Sequence, residues 1–258
     1  MSLFQYLDGE QQEQPPAMSI TVGVVTSIED PDKRGRVKVK LLNRTTSDYE
    51  TDFIRVVSPC CGEKWGIFFL PEVGDEVVLG FCDGDITRPY VLGSLWNKSR
   101  TMPAALEENK ENNPRVIKSK SGHTLTFYDK DSKEYVELQT AKGLKLRLDD
   151  EKTIITVQDK DGKNLLSIDG SAGEVKVTAD KKLELAAGDS KITLDGTGKK
   201  ISISSGGTLE MSAQQVKVDA KSTLSLQGQT SVEMKSAAVL SIEANATASL
   251  KGKLTKIN

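Results

Sequence analysis

The sequence predicts an all-β protein, a small closed barrel followed by an intertwined homotrimeric β-helix needle. Three observations point there. Apolar and polar residues alternate over short stretches along most of the chain, which is strand period. Every proline lies at or before Pro114, every aromatic at or before Tyr135, and all three cysteines in the first third. From residue 201 onward, pairs of apolar residues recur about every eight positions.

Residues 1–18 are polar and Gln/Glu-rich and end near Pro15-Pro16, reading as an arm or docking segment. Residues 19–97 form the barrel. Ile20, Val22, Val24 and then Val37, Val39, Leu41 alternate with polar residues around the turn Asp30-Pro31-Asp32-Lys33-Arg34-Gly35. Phe53–Val57, Gly66–Leu70, Glu76–Phe81 and Tyr90–Gly93 supply further strands, with turns at Gly74-Asp75 and Asp83-Gly84-Asp85. Five or six short strands in so short a span suit a small closed barrel. Residues 98–116 read as a linker in which Ala104–Lys110 has helix-forming composition.

Residues 117–200 form the first, irregular part of the β-helix. Leu125 with Phe127, Val136 with Leu138, Leu144 with Leu146 and Leu148, Ile155 with Val157, Leu166 with Ile168 and Val175 with Val177 are separated by polar turns. Residues 201–258 form the regular needle. Its predicted trimer core is Ile201 with Ile203, Leu209 with Met211, Val216 with Val218, Leu224 with Leu226, Val232 with Met234, Leu240 with Ile242, and Leu250 beside Ala248. The first members of the pairs step by 8, 7, 8, 8, 8 and 8.

Residues at i and i+2 share a face of a strand but not of a helix, and the Ser, Thr and Gly between the pairs are poor helix formers. Burying two aliphatic side chains returns less than ordering eight residues costs. Three chains about a threefold axis remove the difficulty, because each strand then has neighbours on both sides and the ladder has no lateral edge. The absence of proline follows, since proline deletes a ladder donor. So does the absence of rings, since a narrow axis has room only for aliphatic side chains.

Several function classes are disfavoured. No run of apolar residues is long enough for a transmembrane helix, and the N-terminus has no signal-peptide pattern, so synthesis in the cytoplasm is expected. Three cysteines with no CxxC suit buried thiols. His123 is the only histidine, which weakens metal and His-dependent catalytic readings; it is assigned to a turn or to packing. Asp159-Lys160-Asp161-Gly162 departs from the EF-hand pattern and reads as a polar turn. Trp65 and Trp96 are assigned to core packing. Nucleic acid is not expected, because residues 19–97 hold 9 Lys/Arg against 12 Asp/Glu. The tail lysines Lys217, Lys221, Lys235 and Lys251 are assigned to a solvated outer face. No catalytic, cofactor or metal site is expected.

One family matches these residues in order. Gly23-Val24-Val25, Asp30-Pro31, Gly35-Arg36-Val37-Lys38-Val39, Trp65-Gly66, Pro71–Val77, Phe81, Gly84-Asp85 and Arg88-Pro89 through Val91–Trp96 resemble the OB-fold domain of contractile-tail spike proteins. That family includes phage central spikes, phage baseplate assembly protein V and the VgrG proteins of type VI secretion. Ile117–Leu125 resembles the start of the family's β-helix, and the resemblance covers residues 19–258.

The resemblance implies a structural spike, assembled into the baseplate of a phage tail or injection particle, that pierces a target envelope on sheath contraction. It touches the target membrane only transiently. The 18 residues before the barrel lead us to expect the hub as a separate baseplate polypeptide. With only residues 98–116 between barrel and β-helix, no muramidase activity is expected. The absence of a His-x-His apex implies a PAAR-class tip protein, contacted by Leu254, Ile257 and Asn258, and effector cargo is a further partner the family allows. The alternative is an OB-fold binding module on a trimeric stalk, recognising a polymer or an effector protein.

Overall fold

A computed structural model of the chain describes residues 20–42, 49–104 and 111–256. The assigned arm, most of Ala104–Lys110, and the tip-contact residues Ile257 and Asn258 lie outside them. Among the described residues the fold is all-β. Its only helical piece is a 3-10 turn at Cys82–Gly84. The residues fall into two units, up to Leu183 and from Glu184.

The first unit opens with β1 (Ile20–Ser27), β2 (Lys38–Leu41), β3 (Arg55–Val56), β4 (Cys61–Gly62), β5 (Trp65–Gly66), β6 (Glu76–Phe81) and β7 (Pro89–Ser94). Five of these form one sheet in the order β2-β1-β6-β7-β3, and β4 and β5 form a separate hairpin. The sheet closes through the segment before β3. Val37 and Ile54 exchange both backbone hydrogen bonds (3.0 and 2.9 Å), and Thr51 N–H donates to Val39 O (2.9 Å). At its other end the same segment pairs in parallel with β7, Arg55 opposite Tyr90 and Val56 opposite Val91. One stretch therefore contacts both sheet edges, which is what closes a barrel.

The barrel core is aliphatic except for Phe81: Val25, Val37, Val39, Leu41, Ile54, Val77, Leu79 and Val91 are all buried. Val37, Val39 and Leu41 are alternating positions the sequence marked; in β1, however, the marked Ile20, Val22 and Val24 fall on the outer face and Val25 is the buried residue, because Gly23 and Val25 are the positions turned toward the core. Two strands are shorter than expected. Of Phe53–Val57 only Arg55–Val56 form a strand, with Ile54 adding a single bridge to Val37, and of the stretch around Gly66–Leu70 only Trp65–Gly66 do. The remaining Ile67–Phe69 lie exposed on the surface.

Gly23 sits where β1 crosses the core. A Cβ there would fall 2.4 Å from Val39 Cγ1 and 2.8 Å from the carbonyl oxygen of Lys40. Gly23→Ala is expected to destabilise the barrel by about 1–3 kcal/mol through overpacking, read from the denaturant midpoint of its unfolding.

The turn after β1 is organised by Asp30. Its buried carboxylate accepts from the Arg36 guanidinium (2.6 and 3.1 Å) and from the N–H groups of Arg34 (2.8 Å), Arg36 (3.3 Å) and Asp32 (3.1 Å). The Arg36 hydrogen bond, helped by those N–H groups and opposed by burial, holds the Asp30 carboxyl far below the usual carboxylate range. A depressed folded-state pKa adds stability above the unfolded value of about 3.9 and loses it as pH falls toward the folded value. Calorimetry should therefore find the barrel of Asp30→Asn less stable than wild type at pH 7, with the gap closing as the pH is lowered below about 4.

After Ser94 the chain stays tied to the barrel. Arg100 Nε lies 3.2 Å from Asp75, and Asn97 Nδ2 donates to Glu76 (2.8 Å). A seven-stranded antiparallel meander follows, built from β8 (Pro114–Lys118), β9 (Thr124–Tyr128), β10 (Tyr135–Gln139), β11 (Lys145–Asp149), β12 (Ile154–Gln158), β13 (Leu165–Asp169) and β14 (Glu174–Thr178). The ladder expected between chains across 117–200 thus runs within one chain over these strands. The loops explain it. Each reversal carries a residue in the left-handed region, as at Gly122 (φ 95°), Gly143 (φ 89°) and Thr153 (φ 56°), which is the backbone a short hairpin loop requires.

β15 (Lys182–Ala187), which begins just before the boundary between the two units, β16 (Ser190–Asp195) and β17 (Lys200–Ser204) form a three-stranded sheet in that order. No strand follows Ser204 among the described residues, and none of them after Lys199 adopts the left-handed backbone. The segment is not shapeless, however. Its backbone bends at 206–207, 214, 221–222, 229–230, 237–238, 245–246 and 253–254.

Candidate functional site

The meander register aligns its apolar residues into two columns on one face. Ile117, Leu125, Leu138, Leu146, Val157, Leu166 and Val177 stand opposite one another from β8 to β14. Beside them run Phe127, Val136, Leu148, Ile155, Ile168 and Val175, headed by Arg115 on β8. Cross-strand neighbours on one face lie about 5 Å apart, so each column is a continuous apolar ridge.

The opposite face is polar and internally paired. Glu137 lies 3.2 Å from Lys145 and 3.6 Å from Arg147, Arg147 lies 2.9 Å from Asp149, and the Arg147 guanidinium sits 3.7 Å over Tyr135, which stacks on Tyr128. Burial pushes the Asp149 carboxyl up, but the Lys152 N–H and Arg147 outweigh it and leave it below its ordinary value.

In one chain the apolar face is uncovered: Leu146 is 36% and Val175 69% exposed, with most of both columns between them. Monomers rarely leave so large a contiguous apolar surface in water.

The same face recurs in the second unit, where Ile192 pairs with Ile203 and Leu194 with Ile201. Of the predicted core residues, Ile201 and Ile203 therefore belong to a sheet made within the chain. The others do not form a core in the single chain. Leu209, Met211, Val216, Val218, Leu224, Leu226, Val232, Met234, Leu240, Ile242 and Leu250 lie outside any strand, with 54–80% of their surface exposed. Met211 and Leu226 are among the barest, at 73% and 69%, while Val218 and Met234 stand at 64% and 54%. The physical reason is the one that disfavours an eight-residue repeat in isolation: a single strand of this length has no second wall to cover its apolar side. Each of these pairs falls between two successive backbone bends, and the bends step by 8, 7, 8, 8, 8 and 8, as the pairs do. Straight stretches of this kind carry two side chains on one side. Leu254, the one predicted tip-contact residue in the described part, is 75% exposed.

Other expectations fare differently. Trp65 and Trp96 are 67% and 65% exposed and do not pack in the core, because the small aliphatic side chains already fill the barrel. Cys60 and Cys61 are exposed on the β4–β5 hairpin, not buried, and Cys82 is half-buried. A hydrogen bond to Asp83 and burial push the Cys82 thiol up. His123 is a turn residue: its Nδ1 accepts the Ala141 N–H at 3.2 Å and so joins two adjacent hairpin loops. Asp159 is occupied by its own turn, accepting from the Asn164 side chain and the Lys163 N–H (2.9 Å). No cluster of three or more potential ligand residues among the described residues is placed to hold a metal. None of the described helices is long and apolar enough to cross a membrane.

Sequence reasoning missed two surface features of the barrel. One is the apolar hairpin with Trp65, Ile67, Phe68 and Phe69 exposed. The other is a cleft lined by Arg34, Arg36, Arg55 and Arg88. The arginines come from three separate segments, so no local motif announces them.

Comparison with known proteins shows what the chain is similar to. Residues 21–96 match the sequence model of the type VI secretion system/phage-baseplate injector OB domain. The chain is 26% identical over 147 residues to the type VI secretion system spike protein VgrG1b of Pseudomonas aeruginosa, covering 54% of this chain and 20% of that protein. It is 37% identical over 82 residues to VgrG5 of the same organism, covering 31% of this chain and 10% of that protein. With the spike protein VgrG3 of Vibrio cholerae it shares 30% identity over 117 residues, 43% of this chain and 12% of that protein. The matched region thus spans a fifth or less of each of these relatives.

Proposed function

Starting from an OB domain of the type VI secretion/phage-baseplate injector family, in a chain related to VgrG spike proteins, we propose that the protein is the trimeric central spike of a contractile injection apparatus. Three chains would bring their apolar columns together, one sheet from each chain forming one wall of a prism. Beyond Ser204 the chains would wind about one another, each bend turning a corner and each pair of aliphatic residues pointing at the axis. A barrel-side hub protein, a PAAR-class tip protein at the far end and effector cargo are the partners this reading assigns. The work is mechanical: the needle is driven through an envelope by sheath contraction, and stiffness rather than catalysis is what it must supply.

The observation that carries the reading is the eight-residue recurrence of bend and exposed aliphatic pair over 205–256. A segment of that regularity with no ladder of its own would find its hydrogen-bond partners in other chains once assembly buries its backbone. The test is to image contractile particles that carry a labelled copy of this chain. The label is expected at the centre of the baseplate, and particles lacking the chain are expected to be unable to puncture target cells. A label distributed elsewhere, or full activity without the chain, would overturn the assignment.

A further inference from the structure

The barrel's arginine cleft has a volume of about 530 Å³ and is lined by Arg34, Arg36, Arg55 and Arg88 with Phe53 and Tyr90; among the described residues Asp52 is the only carboxylate in its wall. The four arginines are not equally engaged. Arg36 is held by Asp30 and Asp32 at 2.6 and 2.7 Å. Arg34 and Arg88 lie 3.9 and 3.5 Å from the exposed carboxylates of Asp32 and Asp83, contacts that water largely screens. Arg55 has no described carboxylate in reach. It is held over the Tyr90 ring at 4.8 Å and donates to the Tyr90 hydroxyl at 2.7 Å. That pose fixes the guanidinium at the cleft while leaving donors free, which is preorganisation for a carboxylate.

Arg34 also lines the neighbouring apolar hairpin, and a Cβ on Gly35 would lie 3.4 Å from Phe68. Cationic and apolar surfaces therefore meet at one turn. We propose that together they bind an acidic segment of a partner protein that carries an apolar or aromatic residue beside its carboxylates. A nucleic acid fits less well. Both aromatic faces of the cleft are already covered by cations, Lys38 over Phe53 at 5.3 Å and Arg55 over Tyr90, so no base can stack on those faces. The barrel sequence is also net acidic. The inference stands on the barrel alone and does not require the needle reading.

The test uses the full chain and fluorescence anisotropy with three labelled probes: a peptide repeating Glu-Glu-Phe, its Gln-Gln-Phe counterpart and an oligothymidylate of equal length. The Glu-Glu-Phe peptide is expected to bind, more weakly as salt rises, and the other two far less. Arg55→Gln with Arg88→Gln, both exposed positions whose fold is checked by circular dichroism, should weaken binding roughly tenfold or more. Arg55→Lys should restore part of the affinity, and Phe68→Ser should lose part of it. The proposal fails if the wild-type chain does not bind the acidic peptide. It fails equally if binding survives loss of both arginines, or if oligothymidylate binds the same arginines as tightly.

Discussion

Replacing Val232 or Ile242 with aspartate is expected to abolish trimer formation. Both residues lie between backbone bends with more than half their surface exposed in the single chain, and in the proposed needle both face the axis. Symmetry places three carboxylates within a few ångströms of one another in a dry core. Each unpaired buried charge costs several kcal/mol, and like charges add to that. Ionisation would be suppressed, yet three unsatisfied polar groups would remain. Light scattering after size exclusion should find the variants as monomers, whereas Ile242→Val, which costs about 0.5–1.5 kcal/mol per chain, should remain assembled. A Val232→Asp trimer that still resists heat and detergent would place the residue away from the axis.

Leu166→Asp is expected to separate folding from assembly. Leu166 lies in an apolar column between Val157 and Val177, on strands that pair within the chain. Its substitution leaves every backbone hydrogen bond of the meander in place, so far-ultraviolet circular dichroism should still report β-sheet. Assembly should weaken severely, because three aspartates would enter the shared core at a cost of several kcal/mol per chain. Lys176→Asp, on the polar face beside Ser167, should leave assembly unchanged. Equal effects from the two substitutions would mean that the apolar face is not the interface.

What could be read from the sequence, and what could not, has a physical basis. Period-two alternation reports which face a residue occupies: Val37, Val39, Leu41, Val77, Leu79 and Val91 are buried in the barrel, and the meander pairs lie on one face, but in β1 the apolar run Val22, Val24, Val25 occupies both faces and the inward residue is Val25 and not the marked Ile20, Val22 and Val24. Alternation does not report which strand is the partner. Ile201 and Ile203 look like the pairs that follow them, yet they pair with Leu194 and Ile192 in the same chain. The difference lies in the loops, where Lys199 (φ 49°) makes the last left-handed reversal among the described residues. Trp65 and Trp96 misled because aromatic residues usually carry the buried area of a core, whereas here short aliphatic residues fill it. The arginine cleft was invisible because Arg34, Arg55 and Arg88 meet only when the barrel closes.

Sedimentation equilibrium on the purified full-length chain tests the shared core most directly. The expected mass is three times the 28.1 kDa of one chain, unchanged on dilution to the lowest concentration that can be followed. A stable, folded species of 28.1 kDa with its β-sheet signal intact would contradict the trimer, and with it the needle.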